Sequence, residues 1–153
     1  MSPTNRGGGY SGPPRFAIAV HTLAWLAKSG GLVSSAAIAC QVKSHATFLR
    51  RVLASLAQAG IVEAREGRDG GYSLKRPADQ VTLDCVYMAV KSSEGAECAE
   101  QVECGEEGQQ LDRALEEIMK DAERLTLNML GTYTLADVIR KAEFIGSTAK
   151  SSK

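Results

Sequence analysis

No stretch of this sequence approaches the roughly 18 consecutive apolar residues of a membrane-spanning helix, so a helical membrane span is excluded. The N-terminus lacks the charged-then-apolar pattern and cleavage site of a secretory signal, and a cytoplasmic location is expected. Cysteine is scarce, with four residues at Cys40, Cys85, Cys98 and Cys104. In a reducing compartment these read as thiols before they read as a disulfide framework. Catalytic signatures are missing as well. There is no Walker loop, no GxSxG, no HExxH and no evident acid–base pair, so no enzymatic activity is expected. At 153 residues the chain is too short for an ordinary two-domain enzyme, though long enough for one sizeable core. Hydrophobic residues at 44% and charged residues at 24% exclude disorder of the whole.

Net charge is absent too, since 18 basic residues balance 18 acidic ones. The balance is not local. Lys43 to Arg76 holds seven basic residues (Lys43, Arg50, Arg51, Arg65, Arg68, Lys75 and Arg76) against three acids. Lys91 to Arg124 holds eleven acids against four bases. A basic stripe can hold phosphates whatever the total charge, although two solvated faces that happen to differ would give the same count.

Residues 1–14, with four glycines and three prolines, read as a flexible leader. The apolar run from Phe16 to Ala27 predicts a largely buried first helix stopped at Ser29-Gly30-Gly31. His21 lies inside it and is expected as a core histidine. Ser34 or Ser35 can cap a short second helix, from Ala36 to about Gln41. After a turn at Val42-Lys43-Ser44, a third helix runs from about His45 to Ala59, and Gly60 ends it. Phe48, Leu49, Val52, Leu53, Leu56 and Ala57 give it an apolar face, and Arg50, Arg51 and Ser55 lie off that stripe. Two short extended runs, Ile61–Arg65 and Tyr72–Lys75, flank a Gly-rich segment and predict a hairpin. A turn at Pro77–Gln80 leads to a helix from Thr82 to about Val90. Residues 92–108 read as an acidic, cysteine-containing loop. A long helix from about Gln109 to Leu130 carries the stripe Leu111, Leu115, Ile118, Met119, Ala122, Leu125 and Met129. Thr134 and Asp137 can cap a last helix to about Phe144, and the tail after Gly146 is expected to fray. The fold class is therefore mainly α with a small β-hairpin, and three helices followed by a hairpin is the order of a winged helix-turn-helix. The implied units are a leader (1–14), a DNA-binding domain (15–91), an acidic loop (92–108), a long helix with a terminal helix (109–146) and a disordered tail (147–153).

A helix-turn-helix packs one short helix across a second and holds the second in the major groove. Ala36, Ala37 and Ala39 supply small residues for the crossing. Lys43, Ser44, His45, Thr47, Arg50 and Arg51 place short polar and basic groups at the turn and early on the reading helix, where Ser and Thr reach phosphates or base edges and Arg grips guanine. Arg65 and Arg68, with Gly70 and Gly71, form a basic wing. Double-stranded DNA is the partner these features suit. A protein-interaction module that reuses a winged helix without DNA is the alternative.

Several segments resemble the Rrf2 family of bacterial transcription regulators, which contains the regulators IscR and NsrR. They are Ser35 to Gly60, the wing Gly67-Arg-Asp-Gly-Gly-Tyr-Ser-Leu74, Arg76-Pro77-Ala78, Val81-Thr-Leu-Asp84 and Tyr133-Thr-Leu-Ala-Asp-Val138. The first-helix run Arg15-Phe-Ala-Ile-Ala-Val-His21 is similar to the YwnA-like subgroup, which lacks the full cluster motif. The resemblance implies a winged-helix homodimer, expected as a repressor, that binds a palindromic operator and pairs through the long helix. The Leu111-to-Met129 stripe suits that pairing, and packing within one chain would suit it equally. Family members often carry Arg directly before the first wing glycine, where this chain has Glu66.

Cluster-binding relatives carry three cysteines before the dimer helix. Here Cys98 and Cys104 stand in that segment, a third near Gln110 is absent, and Arg15 sits near the place where some members have an acidic ligand. No cofactor is expected, with an iron–sulfur cluster as the lesser alternative. Cys98 and Cys104 are the candidate sensor thiols, although surrounding glutamates should raise their pKa and slow reaction. Inert thiols or a small effector bound elsewhere remain open readings. Cys40 and Cys85, in apolar helical runs, are expected in the core.

Overall fold

The computed structural model describes residues 13–91 and 105–150. Residues 1–12 of the expected leader, residues 92–104 of the acidic loop with Cys98 and Cys104, and the last three residues lie outside them, whereas Pro13 and Pro14, expected in the leader, cap and begin the first helix. The element order is α1 (Pro14–Ser29), α2 (Ser35–Val42), α3 (Ala46–Gln58), β1 (Val62–Arg65), β2 (Gly71–Leu74), a 3-10 turn (Ala78–Gln80), α4 (Leu83–Lys91), α5 (Glu106–Leu130) and α6 (Leu135–Lys150). This is the mainly helical architecture with one antiparallel hairpin that the sequence predicts.

Local chemistry sets the boundaries. Pro14 occupies the first turn of α1, where its missing N–H costs nothing. Gly30 ends α1 in a left-handed conformation, donating its N–H to Leu26 O. Ser34 caps α2 by accepting from the Ala37 N–H at 3.2 Å. The sequence reading starts α5 at Gln109, but Glu106 and Glu107 already form its first turn, where their charges favour the helix dipole. Thr134 and Asp137 form a reciprocal cap on α6. The Thr134 N–H and hydroxyl both donate to Asp137 Oδ2 at 2.9 Å, and the Asp137 N–H donates to Thr134 Oγ1 at 3.2 Å. α6 continues past Gly146 to Lys150.

One core joins the first four helices, the wing base and α6. It contains Leu23 and Leu26 of α1, Ile38 of α2, Leu49, Leu53 and Leu56 of α3, Val86 of α4 and Leu135 of α6. Two backbone bridges tie the ends together. Val33 exchanges hydrogen bonds with Tyr72 at 2.9 and 2.8 Å, fastening the hairpin to the α1–α2 connection. Leu83 N–H bonds Tyr133 O at 3.0 Å and Leu135 N–H bonds Val81 O at 2.7 Å, fastening the start of α6 to the start of α4.

Four expectations are corrected. His21 is exposed, because Ala19, Thr22, Leu23 and Leu26 take the inward face of α1. Cys40 and Cys85 are exposed rather than core, since Ile38 on α2 and Leu83 and Val86 on α4 hold the inward positions. Cys85 Sγ accepts from the Thr82 hydroxyl at 3.2 Å. Ala36 and Ala37 are exposed, and the α2 residues on the core are Ile38 and the half-buried Ala39 and Val42.

Candidate nucleic-acid interface

The turn between α2 and α3 rests on Lys43, whose φ of 52° is the only left-handed non-glycine conformation among the described residues. Lys43 and His45 are exposed and Ser44 is half-buried. His45 stands at the N-cap of α3 without a side-chain cap bond, so its imidazole is not spent on the helix end. On α3, Leu49, Val52, Leu53 and Leu56 are buried, while Thr47, Arg50, Arg51, Ala54 and Gln58 are exposed. At 3.6 residues per turn these five fall within an arc of about 100°, opposite the buried stripe. The surface is convex, solvated and basic. Among the described residues, none of Lys43, Arg50, Arg51, Arg65 or Arg68 is held in an ion pair, so their charges are available to an external anion. On the rim of this face the Ser55 hydroxyl donates to Arg51 O at 3.0 Å, within the helix.

The helix is steadied from behind by Arg15, a residue for which the sequence suggests no such contact. Arg15 is buried, with its guanidinium carbon 5.5 Å from the centre of the Phe48 ring. An arginine at the start of a helix gives no sequence signal of such a contact.

The wing is a two-stranded hairpin in which Val62 pairs with Leu74 and Arg65 with Gly71. Arg65 and Arg68 are exposed at its tip. Gly67 takes φ of 112°, which side chains disfavour. Gly70 and Gly71, expected at a nucleic-acid contact, are also closely packed. A Cβ on Gly70 would lie 2.3 Å from Arg65 O, and one on Gly71 would lie 2.4 Å from Val33 O. Gly71 is buried and lets the hairpin close on Val33. Both glycines thus shape the wing. Val33 is the partner that sequence reasoning missed, because a single bridge residue has no periodicity.

α5 leaves its apolar stripe bare. Leu111, Ile118 and Met119 are 62%, 62% and 65% exposed, Leu125 is 66% exposed, and Leu115, Ala122 and Met129 are exposed too. Packing within one chain therefore does not explain the stripe. The polar side of α5 is internally paired. Lys120 meets Glu116 at 2.8 Å, Arg124 meets Asp121 at 3.2 Å, and Lys91 of α4 pairs with Glu123. The Lys120 hydrogen bond and charge lower the Glu116 pKa, and Glu116 raises that of Lys120.

Among the described residues, no three His, Cys, Asp or Glu side chains come together as a ligand set. Cys40 and Cys85 sit on different helices, Arg15 is turned to Phe48, and Cys98 and Cys104 lie outside the described residues. The described donors do not by themselves fit an iron–sulfur cluster. No helix among the described residues is long and apolar enough to cross a membrane.

The family profile described as "Iron-dependent Transcriptional regulator", Rrf2, matches residues 14–141. The chain is 43% identical over 60 residues to protein aau3 of Rhizobium meliloti, covering 37% of this chain and 39% of that one. It is 35% identical over 80 residues to the HTH-type transcriptional regulator IscR of Cereibacter sphaeroides, covering 52% of each. The match thus spans about half or less of these relatives. Among solved structures, T. potens IscR aligns with a TM-score of 0.61 at 20% identity, over 88% of this chain and 89% of that one. The B. subtilis global cysteine regulator CymR aligns with a TM-score of 0.59 at 22% identity, over 87% and 98%. At these identities the two structures speak for the fold, which is the winged-helix fold with an appended long helix. On the profile match over most of its length, the chain belongs to the Rrf2 family of transcriptional regulators.

Proposed function

We propose that this chain is a sequence-specific DNA-binding transcription regulator that works as a homodimer paired through α5. The observation that carries the reading is the outward face of α3. It presents Thr47, Arg50 and Arg51 without ion-pair partners, beside a turn carrying Lys43 and His45 and a wing carrying Arg65 and Arg68. In the major groove, Arg50 and Arg51 would hydrogen-bond guanine edges or phosphates, while the wing reaches the adjacent backbone. One reading helix touches only a few base pairs, so specificity calls for two half-sites about one helical turn apart. The bare Leu111-to-Met129 stripe supplies the apolar surface for a second copy. Repression is the simplest consequence, because a dimer seated on a promoter excludes polymerase without a further contact surface.

Selection from a random duplex pool should return a palindrome, read by fluorescence anisotropy. Replacing Arg50 and Arg51 by Ala should weaken binding at least about 30-fold, the lower end for two lost base contacts, with an unchanged circular-dichroism melt. Equal binding by the variant would refute the reading-helix assignment. A steep loss of affinity with salt separates DNA binding from a protein-interaction module, whose association would not release phosphate counterions. Comparing operator binding before and after thiol oxidation, with Cys98→Ser as control, tests whether Cys98 and Cys104 add redox control.

A further inference from the structure

We propose that the groove between α4, the end of α5 and α6 is an effector site for a small amphipathic carboxylate. The groove has a volume of about 430 Å³, and Leu83, Leu130, Tyr133, Val138, Lys141 and Ala142 supply most of its lining. That size and an apolar wall with few polar groups are what small-molecule sites show.

Its charges are unequal in availability. Asp137 lies on the wall, but its carboxylate is spent. Oδ2 takes the N–H and hydroxyl of Thr134, and Oδ1 pairs with Arg140. Those bonds hold the Asp137 pKa below its ordinary value, so it stays an anion neutralised by Arg140. Lys141 is different. Its ammonium lies 5.8 Å from the centre of the Tyr133 ring and has no acidic partner among the described residues. The groove thus offers apolar walls, an aromatic ring and one uncommitted cation. A carboxylate would meet Lys141 while its aliphatic or aromatic body lay against Leu83, Leu130, Val138 and Ala142. A phosphate or dianion would find one cation where it needs two, and a neutral ligand would leave Lys141 unused.

The position gives such a ligand leverage. The backbone bonds Leu83 N–H to Tyr133 O and Leu135 N–H to Val81 O join α4 to the α5–α6 corner at this place. α4 packs on α3, and α5 carries the stripe proposed for pairing. A ligand wedged here would change the angle between α4 and α5, and with it the separation of the two reading helices in a dimer. By linkage, the operator would change ligand affinity by the same factor. This coupling rests on the proposed function, whereas the binding site does not.

Calorimetric titration of the full chain without DNA, using octanoate and 2-naphthoate, tests the site. Saturable binding with Kd at or below about 1 mM is expected for at least one acid. The matching amides should bind about tenfold more weakly, the loss of a charge-assisted contact. Lys141→Met keeps the apolar stem and should erase the difference between acid and amide. Absence of saturable binding by both acids overturns the proposal, as does an acid–amide difference that survives Lys141→Met. If Ala142→Phe, which fills the groove, weakens the dimer in sedimentation while neither acid binds, the groove belongs to the second copy and the proposal fails. Adding the bound acid to the operator titration then reads the coupling separately.

Discussion

Gly71→Ala should damage the protein out of proportion to one methyl group. The added Cβ would stand 2.4 Å from Val33 O, 2.7 Å from Val33 C and 3.0 Å from Ser34 N. All three are backbone atoms, so no side chain can swing aside. To relieve the clash the hairpin must lift off Val33, breaking the two bonds that Val33 and Tyr72 exchange at 2.9 and 2.8 Å. Two backbone hydrogen bonds contribute about 1 kcal/mol each, and residual overpacking adds about 1–3 kcal/mol. The expected loss is therefore about 3–5 kcal/mol, a large part of the roughly 5–15 kcal/mol available to a domain. Gly31→Ala is the control, because a Cβ there meets nothing within 4 Å and its φ is not left-handed. That change should stay within about 0.5 kcal/mol of the parent. Denaturant titration gives both numbers, and amide exchange at Val33 and Tyr72 should accelerate in Gly71→Ala alone. Operator affinity should also fall, since Arg65 and Arg68 move with the lifted wing. If Gly71→Ala unfolds with the midpoint and slope of the parent, the clamp between wing and α1–α2 connection does not hold the hairpin.

Ile118→Asp should remove one buried isoleucine per copy from the proposed pairing surface, about 1.5–3 kcal/mol each. It should shift sedimentation toward a monomer, and a variant that remains dimeric at low micromolar concentration refutes pairing through α5. Ser34→Ala deletes the cap on α2 and should cost about 1 kcal/mol by denaturant titration; no change would mean the Ala37 N–H is satisfied by water. Arg68→Ala should lower affinity uniformly across operator sequences and reduce the salt slope by about 1, whereas altered sequence preference would make Arg68 a base contact. Asp137 has a pKa depressed mainly by its bonds from Thr134. Its stabilising contribution is therefore present above the ordinary aspartate pKa and lost as pH falls below about 4 through the folded value. Asp137→Asn should flatten that acid limb, and an unchanged acid titration would show that the α6 cap is not where the proton enters.

Much of the order of elements is legible because several boundaries have a chemical mark: Gly30, Ser34, Gly60 and the Thr134–Asp137 pair. The basic face of α3 was legible for a related reason, since Arg50 and Arg51 fall between apolar residues whose spacing fixes which side is buried. Where every residue of a helix is small or apolar, spacing carries no such information. α1 and α2 are nearly of that kind, and there the expectation puts His21, Cys40, Ala36 and Ala37 inward although the fold turns them out. Cys85 on α4 failed in the same way, sitting beside Val86 in an apolar run but one position off its face. The wing glycines show a different limit. Their pattern marks a tight hairpin, but only the fold reveals that the close neighbour of Gly71 is Val33, separated from it by two helices.

α3 and α5 have nearly the same amphipathic grammar and opposite fates, and the difference lies in their connections. Short turns bring α2 and β1 back against α3, and α1 and α4 close over it, so its leucines are spent inside the chain. α5 packs mainly against α4, and no residue of it is buried. A 25-residue helix with six large hydrophobic side chains exposed on one stripe is costly to leave in water. Ion pairs occupy its other faces, so the stripe cannot be hidden by a simple rotation of the helix. On the proposed function, the helix that buries its stripe keeps a polar face for DNA, and the helix that does not bury it keeps an apolar face for a second copy. On the proposed reading the two needs are linked, because a single α3 reads too few base pairs to be selective until α5 supplies another.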